Sequence, residues 1–172
     1  KGSSAVSEAL VEAIIEIPAG SQNKYEVDRK RGLLRLDRVL YSPVHYPTDY
    51  GFVDETLEED GDPIDILVLV SNPTVPGCII DTRLIGVLVM SDDKGVDNKL
   101  LGVAQRDPRY AQVTDLSGVP PHRLLEIEHF FRTYKELEGK QTVIEGWFGL
   151  DVALEKLRVA RELYRQSKSE RA

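Results

Sequence analysis

The segment EEDGDPIDILVLV, residues 58–70, places three aspartates, Asp60, Asp62 and Asp65, within six residues and then runs into an apolar stretch. Taken alone, Asp60 and Asp62 read as a solvated Gly-Asp-Pro turn. Asp65 is different. It falls between Ile64 and Ile66 and, on a strand, shares a face with Leu67 and Leu69. A half-buried carboxylate there requires a cation or strong hydrogen bonds. The spacing is not that of an EF-hand loop, which wants ligands at alternate positions and a glycine sixth; Gly61 comes second and Ile64 occupies a ligand position.

A second acidic cluster, SDDKGVDNK, follows another apolar run and contains Asp92, Asp93, Asp97 and then Lys99. Read singly it is a polar hairpin loop. If the two strand ends converge, five or six carboxylates surround one cavity. Oxygen-only ligands select hard cations, Mg²⁺ or Mn²⁺ rather than Zn²⁺. His45, His122 and His129 show no metal spacing, and Cys78 is the only cysteine. The other polar groups of note are Lys24, Arg38, Tyr46, Tyr50, Tyr134 and Lys135. Each tyrosine alone reads as a core residue with a satisfied hydroxyl, and each lysine as a surface residue. Together, fixed cations and hydroxyls facing a cation-lined cavity suit a phosphate-rich ligand.

Positioning these groups requires many short strands and two late helices. Val11–Ile17, Lys24–Asp28 and Leu33–Leu40 have strand composition, with DRKRG, residues 28–32, as the turn between two of them. On the third strand Arg38 shares parity with Leu34 and Leu36, which places it at the end of an inward face. IDILVLV, TRLIGVLVM, KLLGVAQ and TVIEGW continue the strand pattern between Asn-Pro, Pro-Gly and Asp-Lys-Gly punctuation. Helical period appears from Pro121 to a stop at Gly139, with Leu124, Ile127, Phe131 and Tyr134 on one face and Leu125 and His129 away from it. It appears again from about Asp151 to Arg165, with Leu154, Leu157, Arg161 and Tyr164 along one side. The pattern implies a mainly β chain, a small closed or partly open barrel with helices packed outside. Nothing divides the chain, so residues 1–172 read as one domain with frayed ends at 1–8 and 166–172.

Composition agrees. Hydrophobic residues make up 41% and charged residues 30%, the balance of a soluble globular protein. The start lacks the long apolar stretch of a secretory signal, and no run is long enough to span a membrane. A lone cysteine suits a reducing, cytoplasmic setting. A net charge of −7 argues against nucleic acid or an anionic membrane as partner.

The motifs together closely resemble the soluble, magnesium-dependent inorganic pyrophosphatases of family I, in their shorter bacterial form. DGDPIDILVL is similar to that family's signature. EIPAGSQNKYEVD, LDRVLYSPVHYPTDYGFV, GVLVMSDDKGVDNKLLGV, HFFRTYKELEGK and IEGW match further in the family's order, over about residues 14–147. The resemblance implies a five-stranded OB-like closed barrel and hydrolysis of pyrophosphate to two orthophosphates, which drives pyrophosphate-releasing biosynthesis forward. It implies Asp62 as general base and Asp60, Asp65, Asp92, Asp97 and Glu16 as metal ligands. Lys24, Arg38, Tyr134 and Lys135 match phosphate-binding positions, surrounded by Glu26, Tyr46, Tyr50 and Lys99. It further implies several Mg²⁺ per site, Mn²⁺ as a substitute, Ca²⁺ as an inhibitor, and a homohexamer. The departures are His45, where an apolar or aromatic residue is common, and Asp93, often a glutamate. A nucleoside triphosphate pyrophosphohydrolase would need a base-stacking pocket, for which no feature is visible. A nucleic-acid-binding OB module would need basic stripes with aromatics, and DRKRG, a solvated turn, is the only basic cluster.

Overall fold

Strand β1 (Leu10–Ile17) alternates accessible and buried residues along its length, the period of a half-buried strand. The computed structural model, which describes residues 7–171, continues with β2 (Asn23–Asp28), β3 (Leu33–Val39), β4 (Asp49–Val53) and β5 (Asp65–Leu69). Then come β6 (Ile79–Asp92), β7 (Gly95–Val96), β8 (Lys99–Ala104), helix α1 (Pro121–Thr133), β9 (Val143–Gly149) and helix α2 (Leu150–Ser169). The frayed start expected for residues 1–8 falls largely outside the described residues.

Five strands close on themselves in the order β1-β4-β5-β8-β6, with β6 returning to β1. The ring is antiparallel except for the parallel pair β5–β8. Strand β6, at 14 residues, is long enough to close the ring with its first half and pair with β9 and β7 beyond it. Closure leaves no exposed ring edge. At the β1–β4 contact, Gly51 is required: a Cβ there would lie 1.9 Å from the Ile14 carbonyl oxygen.

The central strands are buried on both faces. Ile66 and Val68 of β5 join a core containing Ala153, Leu157 and Ala160 of α2; Leu67 and Leu69 join the core containing Ile127, Phe130 and Phe131 of α1. Asp49, fully buried at the start of β4, accepts bonds from the Ala19 and Thr74 backbone amides and pins two loops together.

Four expectations need correction. Leu34 and Leu36 are exposed, because β2 and β3 form a two-stranded sheet of their own outside the ring. Their pairing also slips at Asp37, so strict alternation does not carry through to Arg38. Helix α1 ends at Thr133; Gly139, at φ 73°, instead stops a short 3₁₀ turn over Glu136–Glu138 that brings Glu138 to Arg38. The buried face of α2 runs through Ala153, Leu157 and Ala160 rather than along Arg161 and Tyr164. The same helix runs on to Ser169, beyond the end expected at Arg165.

Candidate active site

The ends of β1, β5, β6 and β8, the β2–β3 hairpin and the segment after α1 enclose one polar cavity of about 690 Å³. Its acidic wall comes from Asp60 and Asp62 on the loop before β5, Asp65 at the start of β5, Asp92 at the end of β6 and Asp97 before β8. The two acidic clusters therefore meet. Their convergence follows from the ring order, in which β8 lies between β5 and β6.

Lys99 sits at the centre of this wall. The parallel register of β5 and β8 sets it directly opposite Asp65. Its side chain is 1% exposed, and its Nζ donates to Asp65 Oδ2 at 2.6 Å, Asp97 Oδ1 at 2.8 Å and the Tyr50 hydroxyl at 3.0 Å. All three ammonium donors are thus engaged. The group also stands 5.4 Å from the ring centroids of Tyr50 and Phe131. These rings belong to a floor of packed aromatics, Tyr46, Tyr50, Phe130, Phe131 and Tyr134.

The cations Lys24, Arg38 and Lys135 line the same cavity. Lys24 lies 2.5 Å from Glu26 and 3.5 Å from Asp37. Arg38 donates to Asp37 at 2.6 Å, and its Nε lies 2.9 Å from Glu138 Oε1. That last contact is an ion pair without an aligned hydrogen bond, for Arg38 Nε and Glu138 Oε2 both remain buried without a hydrogen-bond partner. Lys135 reaches Asp92 Oδ2 at 3.3 Å and the face of Tyr134 at 5.2 Å. Glu16 occupies an irregularity in the β1–β4 pairing and accepts a 2.8 Å bond from the Val27 amide, which ties the outer hairpin to the ring.

Negative charge is in excess on the acidic wall. Burial pushes Asp65 up to about 6, with Asp97 adding to the rise and Lys99 opposing it. Burial also acts on Asp97, but the Lys99 ammonium outweighs it and holds that carboxyl below its usual range. Burial raises Glu16 to about 7 against the Val27 bond. Asp60 is raised by burial and by the charges of Asp62 and Asp97. The Lys99 ammonium is held well above its ordinary value because Asp65 and Asp97 outweigh its desolvation. Among the described residues no three potential ligands already stand at the spacing of a closed metal site; the lysine stands between two of them. The donor set, all oxygen and under-neutralised, fits hard divalent cations.

Every residue expected at the site lines this cavity except Tyr46, which packs behind it against Tyr50 at 5.2 Å and Phe130 at 4.8 Å. Sequence reasoning passed over several others. Arg29, in the turn read as solvated, is exposed as expected but also lines the cavity, with its guanidinium 5.1 Å over the Phe52 ring. Lys94 and Lys140 also line it. Glu138 has a signal in hindsight: it lies within the quoted motif HFFRTYKELEGK, three residues beyond Lys135. The compensation expected for Asp65 is present. A side-chain ammonium already meets that carboxylate, so a metal is not the only balancing charge.

A barrel presenting a carboxylate wall to a basic wall defines a class of proteins that bind phosphate-rich anions with hard cations. The family model described as inorganic pyrophosphatase matches residues 13–165. An inorganic pyrophosphatase of Geobacillus stearothermophilus is 56% identical over 84% of this chain and 87% of its own length. One from Methanosarcina acetivorans is 51% identical over 92% of this chain and 95% of its own. The crystal structure of the Thermus thermophilus inorganic pyrophosphatase superposes with a TM-score of 0.88 at 44% identity, covering 91% of this chain and 92% of that one. The Helicobacter pylori enzyme gives 0.89 at 40%, covering 92% and 95%. The chain belongs to the inorganic pyrophosphatase family.

Proposed function

We propose that this chain hydrolyses inorganic pyrophosphate to two orthophosphates, using Mg²⁺ held by Asp60, Asp65, Asp92, Asp97 and Glu16. The observation that carries the reading is the single cavity in which an acidic wall faces Lys24, Arg38 and Lys135. Bound Mg²⁺ supplies positive charge against the polyanion and a lowered pKa for the attacking water.

The protein's own groups do the rest. Arg38, Lys24 and Lys135 grip phosphoryl oxygens, and the Tyr134 hydroxyl adds a donor. Their present partners, Asp37, Glu26 and Asp92, hold them extended over the cavity before substrate arrives. Asp62 accepts the proton of the attacking water. Its position supports this role: it is exposed at the cavity wall, and its backbone amide donates to Asp60 Oδ1 at 3.0 Å, which fixes the two acids relative to each other. Lys99 and Tyr50 hold Asp65 and Asp97 in place. Glu26 and Tyr46 support the basic wall and the aromatic floor.

Mn²⁺ substitutes for Mg²⁺ in this scheme. Ca²⁺ inhibits, because its longer and more variable bonds occupy the carboxylates without the octahedral geometry. The chain acts in the cytoplasm as a homo-oligomer, with a hexamer favoured; exposed Leu125, Leu137 and Val143 supply apolar surface for such contacts.

The test is phosphate release from pyrophosphate with Mg²⁺, run beside ATP. Release from pyrophosphate with little from ATP is expected. Equal turnover of ATP would favour a nucleotide hydrolase, and no release from either would overturn the reading.

A further inference from the structure

The loop from Asp54 to Ile64, which carries Asp60 and Asp62, is anchored to three different parts of the molecule. Thr56 Oγ1 donates to the Val53 carbonyl at 2.6 Å and accepts from the Ile64 amide at 3.0 Å, which closes the loop's base between β4 and β5. The Leu57 amide donates to the Ala160 carbonyl of α2 at 2.9 Å. The third anchor is Glu58. Its side chain is buried, and Oε2 accepts a 3.3 Å bond from Nδ2 of buried Asn98. Asn98 lies between Asp97 and Lys99. Among the described residues this is the one side-chain hydrogen bond that joins the first acidic loop to the segment from Asp92 to Lys99.

The backbone of the same loop is organised around Glu58. Its amide donates to the Asp62 carbonyl at 2.8 Å, and its carbonyl accepts from the Gly61 amide at 3.0 Å. Gly61, at φ 88°, makes the turn that lets Asp60 and Asp62 project into the cavity. The residue that clamps the loop to the second acidic cluster is therefore also the residue on which the turn closes.

We infer that Glu58 is a positioning residue whose bond to Asn98 holds Asp60 at a fixed separation from Asp97, so that the carboxylates on the two loops meet a cation as one set. The inference rests on the reading that these acids share a cation. Without the clamp, the loop keeps its base at Thr56 and its contact with α2, but its tip pivots freely. Binding a cation then carries the added entropy cost of ordering the tip.

Amide hydrogen exchange in cation-free protein and calorimetry with Mg²⁺ test this on Glu58→Ala, Glu58→Gln, Asn98→Ala and the double alanine variant. In Glu58→Ala, exchange at Gly61 and Asp62 should quicken while the Leu57 and Ile64 amides keep wild-type protection. Mg²⁺ binding should weaken by roughly three- to tenfold, the worth of one hydrogen bond. Glu58→Gln keeps an acceptor for Asn98 and should stay near wild type, and it retains the test should the alanine variant fail to fold. Asn98→Ala should match Glu58→Ala, with the double variant no worse than either. Unchanged exchange at Gly61 and Asp62 in Glu58→Ala overturns the inference, as does a glutamine variant as impaired as alanine. Equal loss of protection at all four amides also overturns it, since that marks a general structural role. Wild-type protein that takes up no Mg²⁺ sinks the cation reading instead, and the exchange comparison still decides the clamp.

Discussion

Replacing Lys99 by methionine asks what holds the acidic wall together before a divalent cation binds. The side chain is nearly inaccessible, and its three bonds, at 2.6, 2.8 and 3.0 Å, end on Asp65, Asp97 and Tyr50. Methionine keeps much of the volume and removes the charge. Removing one partner from a buried ion pair costs about 3–5 kcal/mol, because the remaining charge is left uncompensated. For a chain of this size that is a fall in Tm of roughly 6–20 °C. The pH dependence gives the sharper test. In the variant, Asp65 and Asp97 face each other under burial and mutual repulsion, both of which raise a carboxyl. A carboxyl whose folded pKa lies above its unfolded value loses stability as pH rises through that interval. The penalty should therefore be largest near pH ~8 and smaller near pH ~5, where one of the pair takes a proton. Mg²⁺ should restore more stability to the variant than to wild type, because it meets the same carboxylates without a competing ammonium. Scanning calorimetry at both pH values, with and without Mg²⁺, measures all of this. A cation-free variant that melts with wild type near pH ~8, or a loss as large near pH ~5, would falsify the argument.

Asp62→Asn should lower turnover by roughly 10²–10⁴ with Mg²⁺ affinity largely kept, the usual worth of a positioned base. Asp65→Asn should weaken Mg²⁺ binding and partly recover at high Mg²⁺; rescue of the first variant and not the second would mean the two roles are reversed. Glu16, raised to about 7, and Asp65, raised to about 6, hold protons at mildly acid pH that a bound cation displaces. The calorimetric heat of Mg²⁺ binding should accordingly vary with the buffer's ionisation enthalpy at pH ~6 and cease to vary at pH ~9; no dependence at the lower pH would contradict the crowded-acid reading. Leu125 and His129 are exposed on α1, and a charge placed there by Leu125→Glu should loosen an oligomer that uses this face. Sedimentation showing the same species for Leu125→Glu and wild type would count against that contact.

Much of this protein was legible in the residues themselves. Strand alternation marked Asp65 as a carboxylate inside a buried run, and its placement beside Leu67 and Leu69 on the face toward α1 agrees. The motif order identified the family, and through it the fold and the candidate site. Local patterning could do this because strand period, turn chemistry and contiguous motifs are short-range properties. Where a local rule met a tertiary exception, it misled. Parity placed Arg38 with Leu34 and Leu36, but a one-residue slip at Asp37 and a hairpin outside the barrel left those leucines in solvent.

What only the tertiary structure decided is which charges face each other. Lys99 is 34 positions from Asp65, and nothing in either neighbourhood pairs them. The parallel β5–β8 register does, and it delivers an ammonium to the carboxylate that the sequence left in need of a cation. Glu58 and Asn98, 40 positions apart, meet for the same reason. Such pairings depend on ring closure and strand order, which are set by contacts between segments far apart in the chain. No segment holds that information alone.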